Sequence, residues 1–314
     1  MDLSEDGSTV LLTVVTGSEA SETEVFDLSC NKLFTSDALL GLVVSPSGRY
    51  FCNACNELEP LPLELLDRSG KKIKEISTVE NRWDCKFWND TLLIVSDPDS
   101  LRLVYITTDF PQMAIPLNFE RNKYSHTPAI AISRTMNAVA VAGEFDLLVL
   151  SQDGMEMGRH RFDDYLCAAQ FDDSLPLLAL QLGDRMQHYS YFATTSIGRA
   201  DILKTSPRLD FLGRCYGPLS KPAIWLSDGL VSYWESNSAP VPAFVVLGAN
   251  NFSETLFLAF DGAEGLSTLP IGVPGFYYRV NRAGREVRYV CALPSGAVRL
   301  ISVSLDELST GGQK

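Results

Sequence analysis

Residues Thr127 to Phe162 read TPAIAISRTMNAVAVAGEFDLLVLSQDGMEMGRHRF. Four short strand-like runs alternate here with turn residues. Ala129 to Ile132 is a continuous apolar run, as in a strand covered on both faces. Ser133 to Asn137 breaks it, and Ala138 to Ala142 is apolar again but small. Gly143-Glu144-Phe145-Asp146 makes the next break before Leu147 to Leu150. Ser151-Gln152-Asp153-Gly154 carries the Asp-Gly signal of a hairpin turn. The last run, Met155 to Phe162, mixes Met155 and Met157 with Glu156, Arg159, His160 and Arg161. Charge of this kind suits an outer strand, where it discourages pairing with other molecules.

Three buried strands and one polar outer strand in about 36 residues is the pattern of one propeller blade. The runs are too short for helices, and Val and Leu dominate them. Weaker copies recur. Turns that end a first strand fall at Glu5-Asp6-Gly7, Pro46-Ser47-Gly48, Asn89-Asp90, Thr135-Met136-Asn137, Asp172-Asp173-Ser174, Ser227-Asp228-Gly229 and Arg282-Ala283-Gly284. Their spacing averages about 46 residues, within the usual blade period. The pattern predicts an all-β chain: a single β-propeller domain over residues 1–314, built of four-stranded antiparallel blades. Seven blades is the first expectation, with six or eight as alternatives.

In the second copy, Gly41 to Ser45 reads as the inner strand and SPSGRY (Ser45 to Tyr50) as the turn. Tyr50 to Cys55, Leu63 to Asp67 and Lys71 to Ile76 follow as strands. The third copy runs from Trp83 to Leu117. The fifth starts at Tyr165, with its third strand across Gln187 to Phe192. In the sixth, Leu230 to Glu235 looks like an additional strand ahead of Ala243 to Leu247, and Leu256 to Ile271 reads as two strands around Asp261-Gly262. The seventh comprises Phe276 to Val280, Val287 to Leu293 and Val298 to Val303. Residues 207–219 read as an inserted loop. Only Met1 to Leu3 stands where a first inner strand belongs, and the seventh copy has no clear outer strand. Either one end of the chain completes the blade begun by the other, with Leu305 to Ser309 as a candidate, or the chain is part of a larger protein.

The net charge of −13 argues against a nucleic-acid backbone as partner, since binding phosphates requires clustered Lys and Arg. No apolar stretch approaches the roughly 18 residues of a membrane span. The start, MDLSEDG, lacks the basic and apolar regions of a secretory signal, so the expected setting is the cytoplasm. The seven cysteines, Cys30, Cys52, Cys55, Cys85, Cys167, Cys215 and Cys291, are odd in number, and most lie in apolar runs. They read as reduced, buried cysteine and not as a disulfide framework.

The SPSGRY turn and the Leu147-to-Phe162 hairpin resemble the β-propeller superfamily broadly: WD-repeat-like, quinoprotein-like and S-P-D-G-type blades. The resemblance implies a toroid of four-stranded blades, often used as an interaction platform. The chain departs from the named patterns. Trp83-Asp84 sits before an inner strand and not at the end of a third one, and no Gly-His precedes it. Kelch double glycines and the sialidase box are absent.

No pattern points to a reaction, a cofactor or a metal. Cys52-Asn53-Ala54-Cys55 has metal or redox spacing, but residues three apart on a strand point to opposite faces; buried core is the expectation. His126, His160 and His188 lie in different segments. No G-x-S-x-G elbow or phosphate-binding G-x-x-x-x-G-K occurs. Asp163-Asp164, Asp172-Asp173 and Asp97-Pro98-Asp99-Ser100 read as turns. Asn89-Asp90-Thr91 and Asn251-Phe252-Ser253 match the glycosylation pattern, which needs a secretory route. Trp88, Trp225, Trp234 and Tyr277-Tyr278 read as blade core.

The loops are more informative. In a propeller, the loop entering each inner strand and the loop between second and third strands share one face. Here the second-to-third loops carry Glu19, Glu22, Glu57, Glu59, Asp97, Asp99, Glu144 and Asp184, which predicts an acidic face. One entering loop, Glu120 to His126, interrupts it with Arg121, Lys123, Tyr124 and His126. The expected function is a noncatalytic protein-interaction scaffold, a subunit or domain of a larger assembly, receiving a basic or amphipathic segment of a protein partner. The alternatives are a propeller enzyme or small-ligand binder of hydrolase or lactonase type using the central channel, and a structural domain of a secreted or surface protein.

Overall fold

The computed structural model describes residues 2–4, 6–15, 21–27, 29–37, 41–53, 55–56, 62–78, 83–107, 113–120, 127–171, 176–184 and 190–197, and strand segments alone between 202 and 304. All elements among the described residues are strands, and all pairings are antiparallel. The chain divides into two compact units, Met1–Ile132 and Ser133–Lys314.

Seven sheets form from the described strands, nearly all in plain chain order. The first holds Asp2–Leu3, Thr9–Val15, Ser21–Asp27 and Lys32–Ser36. The second holds Leu42–Val44, Tyr50–Asn53, Leu63–Asp67 and Lys72–Ile76. The third holds Trp83–Phe87, Leu92–Ser96, Ser100–Tyr105 and Met113–Pro116, with Cys55–Asn56 added along its inner edge. The fourth is Ala129–Ser133, Ala138–Ala142, Asp146–Ser151 and Glu156–Arg161, close to the four runs read from the sequence. The fifth is Tyr165–Phe171, Leu177–Gly183, Ser190–Ser196 and Ile202–Thr205. The sixth is Ile224–Leu226, Leu230–Glu235, Ala243–Gly248 and Glu254–Ala259, and the seventh is Tyr278–Asn281, Glu286–Ala292 and Val298–Ser304.

Several sequence expectations are corrected. Trp83 and Asp84 do not precede an inner strand; they are its first two residues. Tyr50 to Cys55 is not one strand: Cys55 pairs with Asp84 of the next sheet. Leu230–Glu235 is no extra strand but the second of its sheet, because Ile224–Leu226 supplies the first. The third strand of the fifth sheet is Ser190–Ser196, which overlaps the Gln187 to Phe192 run; Gln187, His188 and Tyr189 lie outside the described residues. The inserted loop 207–219, the Asp261-Gly262 turn and Leu305 to Ser309 lie outside the described residues.

Within the first unit, the inner and middle strands of the second and third sheets are buried on both faces, while the outer strands Lys32–Ser36, Lys72–Ile76 and Met113–Pro116 are largely exposed. In the second sheet Phe51 pairs with Leu66 and Cys52 with Leu65. Phe51 and Leu66 face Leu11, Val25, Leu42 and Val44, with the Phe34 and Phe51 rings edge to face at 5.1 Å. Cys52 and Leu65 face the other way, into Trp83, Cys85, Phe87, Leu93, Val95 and Val104. Period-two alternation therefore sends successive side chains into two different cores. Each fully buried Phe or Leu contributes about 2 kcal/mol by removal from water, so no sheet here has a face to spare.

Polar stitches join consecutive sheets. Asp6 N–H donates to Pro46 O at 3.1 Å, which ties the first turn to the second. Ser47 N–H donates to Asp90 Oδ1 at 3.1 Å, which ties the second to the third. Along the inner edge, Ile130 N–H donates to the buried Asp84 carboxylate at 2.9 Å.

The turn between third and fourth strands repeats with one design. Asp67 N–H donates to Lys71 O, and Gly70 N–H donates to Asp67 O. Asp27 with Asn31 and Ser151 with Met155 repeat the pattern. The last loop residue is left-handed in each: Gly70 (φ 79°), Gly154 (φ 81°) and Cys30 (φ 61°). A three-residue loop of this kind favours glycine there, so Cys30 is strained. It is also exposed, contrary to the expectation of buried cysteine. At Gly70 a Cβ would lie 2.7 Å from the Phe34 ring. Cys30→Gly is expected to stabilise the protein by about 0.5–1 kcal/mol. Gly70→Ala is expected to destabilise it by more than about 1 kcal/mol. The urea midpoints of the two variants should move in opposite directions.

Candidate functional site

The sheets expose two kinds of end. One carries the loops entering the first strands and the loops between second and third strands. The other carries the first-to-second and third-to-fourth turns. Charge divides unequally between them.

In the unit Met1–Ile132 the described entering and second-to-third loops contain Asp37, Asp97, Asp99 and Glu120, and in the unit Ser133–Lys314 they contain Glu144, Asp163, Asp164 and Asp184; among these described loop residues there is no Lys or Arg. Two described cations on strands engage carboxylates. Arg102 forms an ion pair with Asp97, whose side chain is only 1% exposed. Arg161 Nη1 lies 3.5 Å from Asp146 Oδ2. Asp37, Asp99, Glu120 and Asp163 are exposed.

The fourth sheet builds this end in most detail. Gly143 N–H donates to Asp146 O at 2.8 Å and closes the loop between second and third strands. Phe162 N–H donates to Phe145 O, and Leu166 N–H to Glu144 O at 2.7 Å, so the chain entering the fifth sheet is laid along that loop. The Phe145 and Tyr165 rings meet edge to face at 5.8 Å. Tyr191 donates its hydroxyl to Asp164 Oδ2 at 2.8 Å. The result is a rigid, carboxylate-rich corner with an apolar floor.

The acidic residues singled out in the sequence are placed as follows. Glu22 is exposed, but it lies within strand Ser21–Asp27 and not in a loop. Asp97 is buried on Arg102, and Asp99 beside it is exposed. Glu144 is buried and Asp184 half-buried. Glu19, Glu57, Glu59, Arg121, Lys123, Tyr124 and His126 lie outside the described residues, as does His188. His160 stacks obliquely on Phe162 with ring centroids 4.4 Å apart. Among the described residues, no three His, Cys, Asp or Glu side chains gather as a metal site would require. Glu120 opens the Glu120-to-His126 entering loop of the sequence reading; Asp37, Asp163 and Asp164 are entering-loop carboxylates that reading did not count there. They sit in the linkers between blades, and fixing the strand ends is what reveals them.

At the opposite sheet ends the described turns carry Asp6 and Asp90 against Arg49, Arg68 and Lys71 in the first unit, and Asp153 with Arg134 in the second. Asp6 and Asp90 serve the turns themselves. Burial pushes the Asp90 carboxyl up, but hydrogen bonds from Ser47 and Ser45 and the charge of Arg49 outweigh this and hold it below its ordinary value. At Asp6 burial is likewise outweighed, by hydrogen bonds from Ser4 and Ser8 and by the charge of Arg68. Hydrogen bonds from Asn31 lower Asp27, and those from Ser69 lower Asp67.

No protein-family model matches the chain, and no curated protein matches it either. Solved structures do. A chain of the mitotic checkpoint complex, a WD40 propeller, aligns at 12% identity over 96% of this chain and 88% of its own, with a TM-score of 0.63. The dihydro-heme d1 dehydrogenase NirN in complex with DHE aligns at 13% identity over 98% of this chain and 63% of its own, with a TM-score of 0.53. The hydrazine synthase of Kuenenia stuttgartiensis aligns at 14% identity over 85% and 80%, with a TM-score of 0.55. The chain thus has the β-propeller fold. At these identities the likeness concerns the fold alone. Among the described residues no helix is long and apolar enough to cross a membrane.

The lowered carboxyls at the turns set the acid limit of stability. A carboxyl depressed in the folded state contributes stability above its unfolded value, near 3.9, and loses it as pH falls through the folded value. The urea midpoint should therefore hold steady from about pH 7 to about pH 5 and decline below about pH 4. Asp90→Asn, which keeps an acceptor but cannot titrate, should make that decline shallower. An equally steep decline in this variant would contradict the assignment.

Proposed function

We propose that the protein is a noncatalytic interaction module, one propeller domain over the whole chain, whose carboxylate-rich loop end receives a basic or amphipathic segment of a protein partner. The observation that carries this reading is the unequal charge of the two ends. The described entering loops bear carboxylates and no cation, while the opposite turns bear cations and acids that their own hydrogen bonds hold.

Exposed carboxylates of one sign raise the rate of encounter with a cationic partner and fix its register more than they add affinity. Affinity then falls to buried aromatic or aliphatic anchors on the partner. The segment with Arg121, Lys123, Tyr124 and His126 supplies a local reversal of sign. It would pair with an acidic residue of the partner and exclude a uniformly basic chain. The likeness to a chain of a multi-protein checkpoint complex is in keeping with a role as a complex subunit. A cytoplasmic setting suits the exposed free thiol of Cys30, which is best kept reduced.

The test is capture from the native host with the wild-type chain and with a variant carrying Asp37→Asn, Asp99→Asn, Glu120→Gln and Asp163→Asn. These side chains are exposed, so the melting temperature should change little. A stoichiometric protein partner is expected with the wild type, released between about 0.1 and 0.5 M salt. Its association with the variant should slow about tenfold. Equal capture by both proteins would refute the acidic-end reading, and capture of no partner would refute the scaffold reading.

A further inference from the structure

Cys52 and Cys85 bring their sulfurs to 3.3 Å. Both are free thiols at zero exposure. They belong to different sheets: Cys52 lies on strand Tyr50–Asn53 of the second, and Cys85 on strand Trp83–Phe87, the first strand of the third. The Cys85 thiol also donates to Asn53 O at 3.1 Å. In the sequence, Cys52 and Cys55 read as core residues on opposite faces and not as a pair. The fold separates them further, because the chain after Asn53 crosses to the third sheet and lays Cys55 opposite Asp84. That crossing carries Asn53 past Cys85 and draws the two sulfurs together.

We propose that Cys52 and Cys85 form a redox-responsive staple between the second and third sheets, closed by a two-electron oxidant of the peroxide class. One sulfur, as thiolate, attacks a peroxide oxygen. The O–O bond breaks, leaving a sulfenic acid and, after protonation, one water. The second sulfur then attacks the sulfenyl sulfur. The S–O bond breaks as the S–S bond forms, and the departing hydroxide takes the proton of the second thiol as a second water. The two thiols together lose two electrons and the peroxide gains them.

Burial sets the timing. No oxidant reaches sulfurs at zero exposure unless the structure opens locally. Beside Cys85, the two-residue strand Cys55–Asn56 is held to Asp84 and Trp83 by two residue pairs. Its opening exposes the sulfurs, and the disulfide then locks the opened segment back against the inner edge. The reduced protein is the resting form, and the oxidised one resists separation of its second and third sheets.

The full-length chain carrying Cys55→Ser gives the clearest test. Cys52 and Cys55 share one tryptic peptide, which this substitution simplifies. The protein is treated with hydrogen peroxide, denatured, alkylated and mapped with and without reduction. The expected result is one reducible link between the peptides of Cys52 and Cys85, with a melting temperature about 5 °C above that of the reduced form. Mild urea, below the unfolding midpoint, should speed its formation. Cys52 and Cys85 both remaining open to alkylation would overturn the proposal. So would a link from Cys85 to another cysteine, or sulfinic acid as the sole product. The same mapping on the wild-type chain guards against an effect of the substitution, since a link from Cys85 to Cys55 there would equally overturn it.

Discussion

The rest of the structure depends on each sheet having a neighbour against it. In the second sheet Phe51 and Cys52 point to opposite sides and both are fully buried. A four-stranded sheet of such strands has no stable existence in water, because each face removes several large apolar side chains from solvent only when the next sheet covers it. The inner edges then approach closely, and their polar groups must be satisfied there. Asp84 is the example: its carboxylate is buried and takes the Ile130 amide of the following sheet's first strand. A buried carboxylate without such a donor would be costly, so this bond selects both the spacing and the register of the two strands.

This dependence explains how the loops divide their roles. The first-to-second and third-to-fourth turns repeat because they tie sheets and close hairpins. Asp6, Asp27, Asp67 and Asp90 are engaged in that task, and their lowered proton affinity is its electrostatic trace. The entering loops vary in length and sequence, and they hold Asp37, Asp99, Glu120 and Asp163 in exposed positions.

Much of the fold was legible because the physics is local. Ala138 to Ala142 and Leu147 to Leu150 are apolar on successive residues, and only a strand covered on both faces accepts that. The turns at Glu5-Asp6-Gly7 and Pro46-Ser47-Gly48 were readable from their Gly, Asp and Ser residues, and Gly7 and Gly48 are left-handed, at φ 73° and 66°. What escaped depends on long-range pairing. Nothing local says that Cys55 leaves its sheet for the next one, or that Trp83-Asp84 opens a strand. Leu230–Glu235 was read as surplus because its three-residue partner, Ile224–Leu226, is too short to announce itself. Asp99 sits in a loop the turn residues marked, whereas Asp97 beside it is consumed by Arg102, five residues on and invisible to any turn rule.

The most direct measurement is hydrogen exchange of the chain, free and bound to its captured partner. If the acidic loop end is the docking surface, protection on binding falls on residues 37–41, 97–99, 117–128, 143–145 and 162–164. Protection confined instead to the turns at 45–49, 88–91 and 134–137, or to the outer strands Lys72–Ile76 and Glu156–Arg161, would contradict the account.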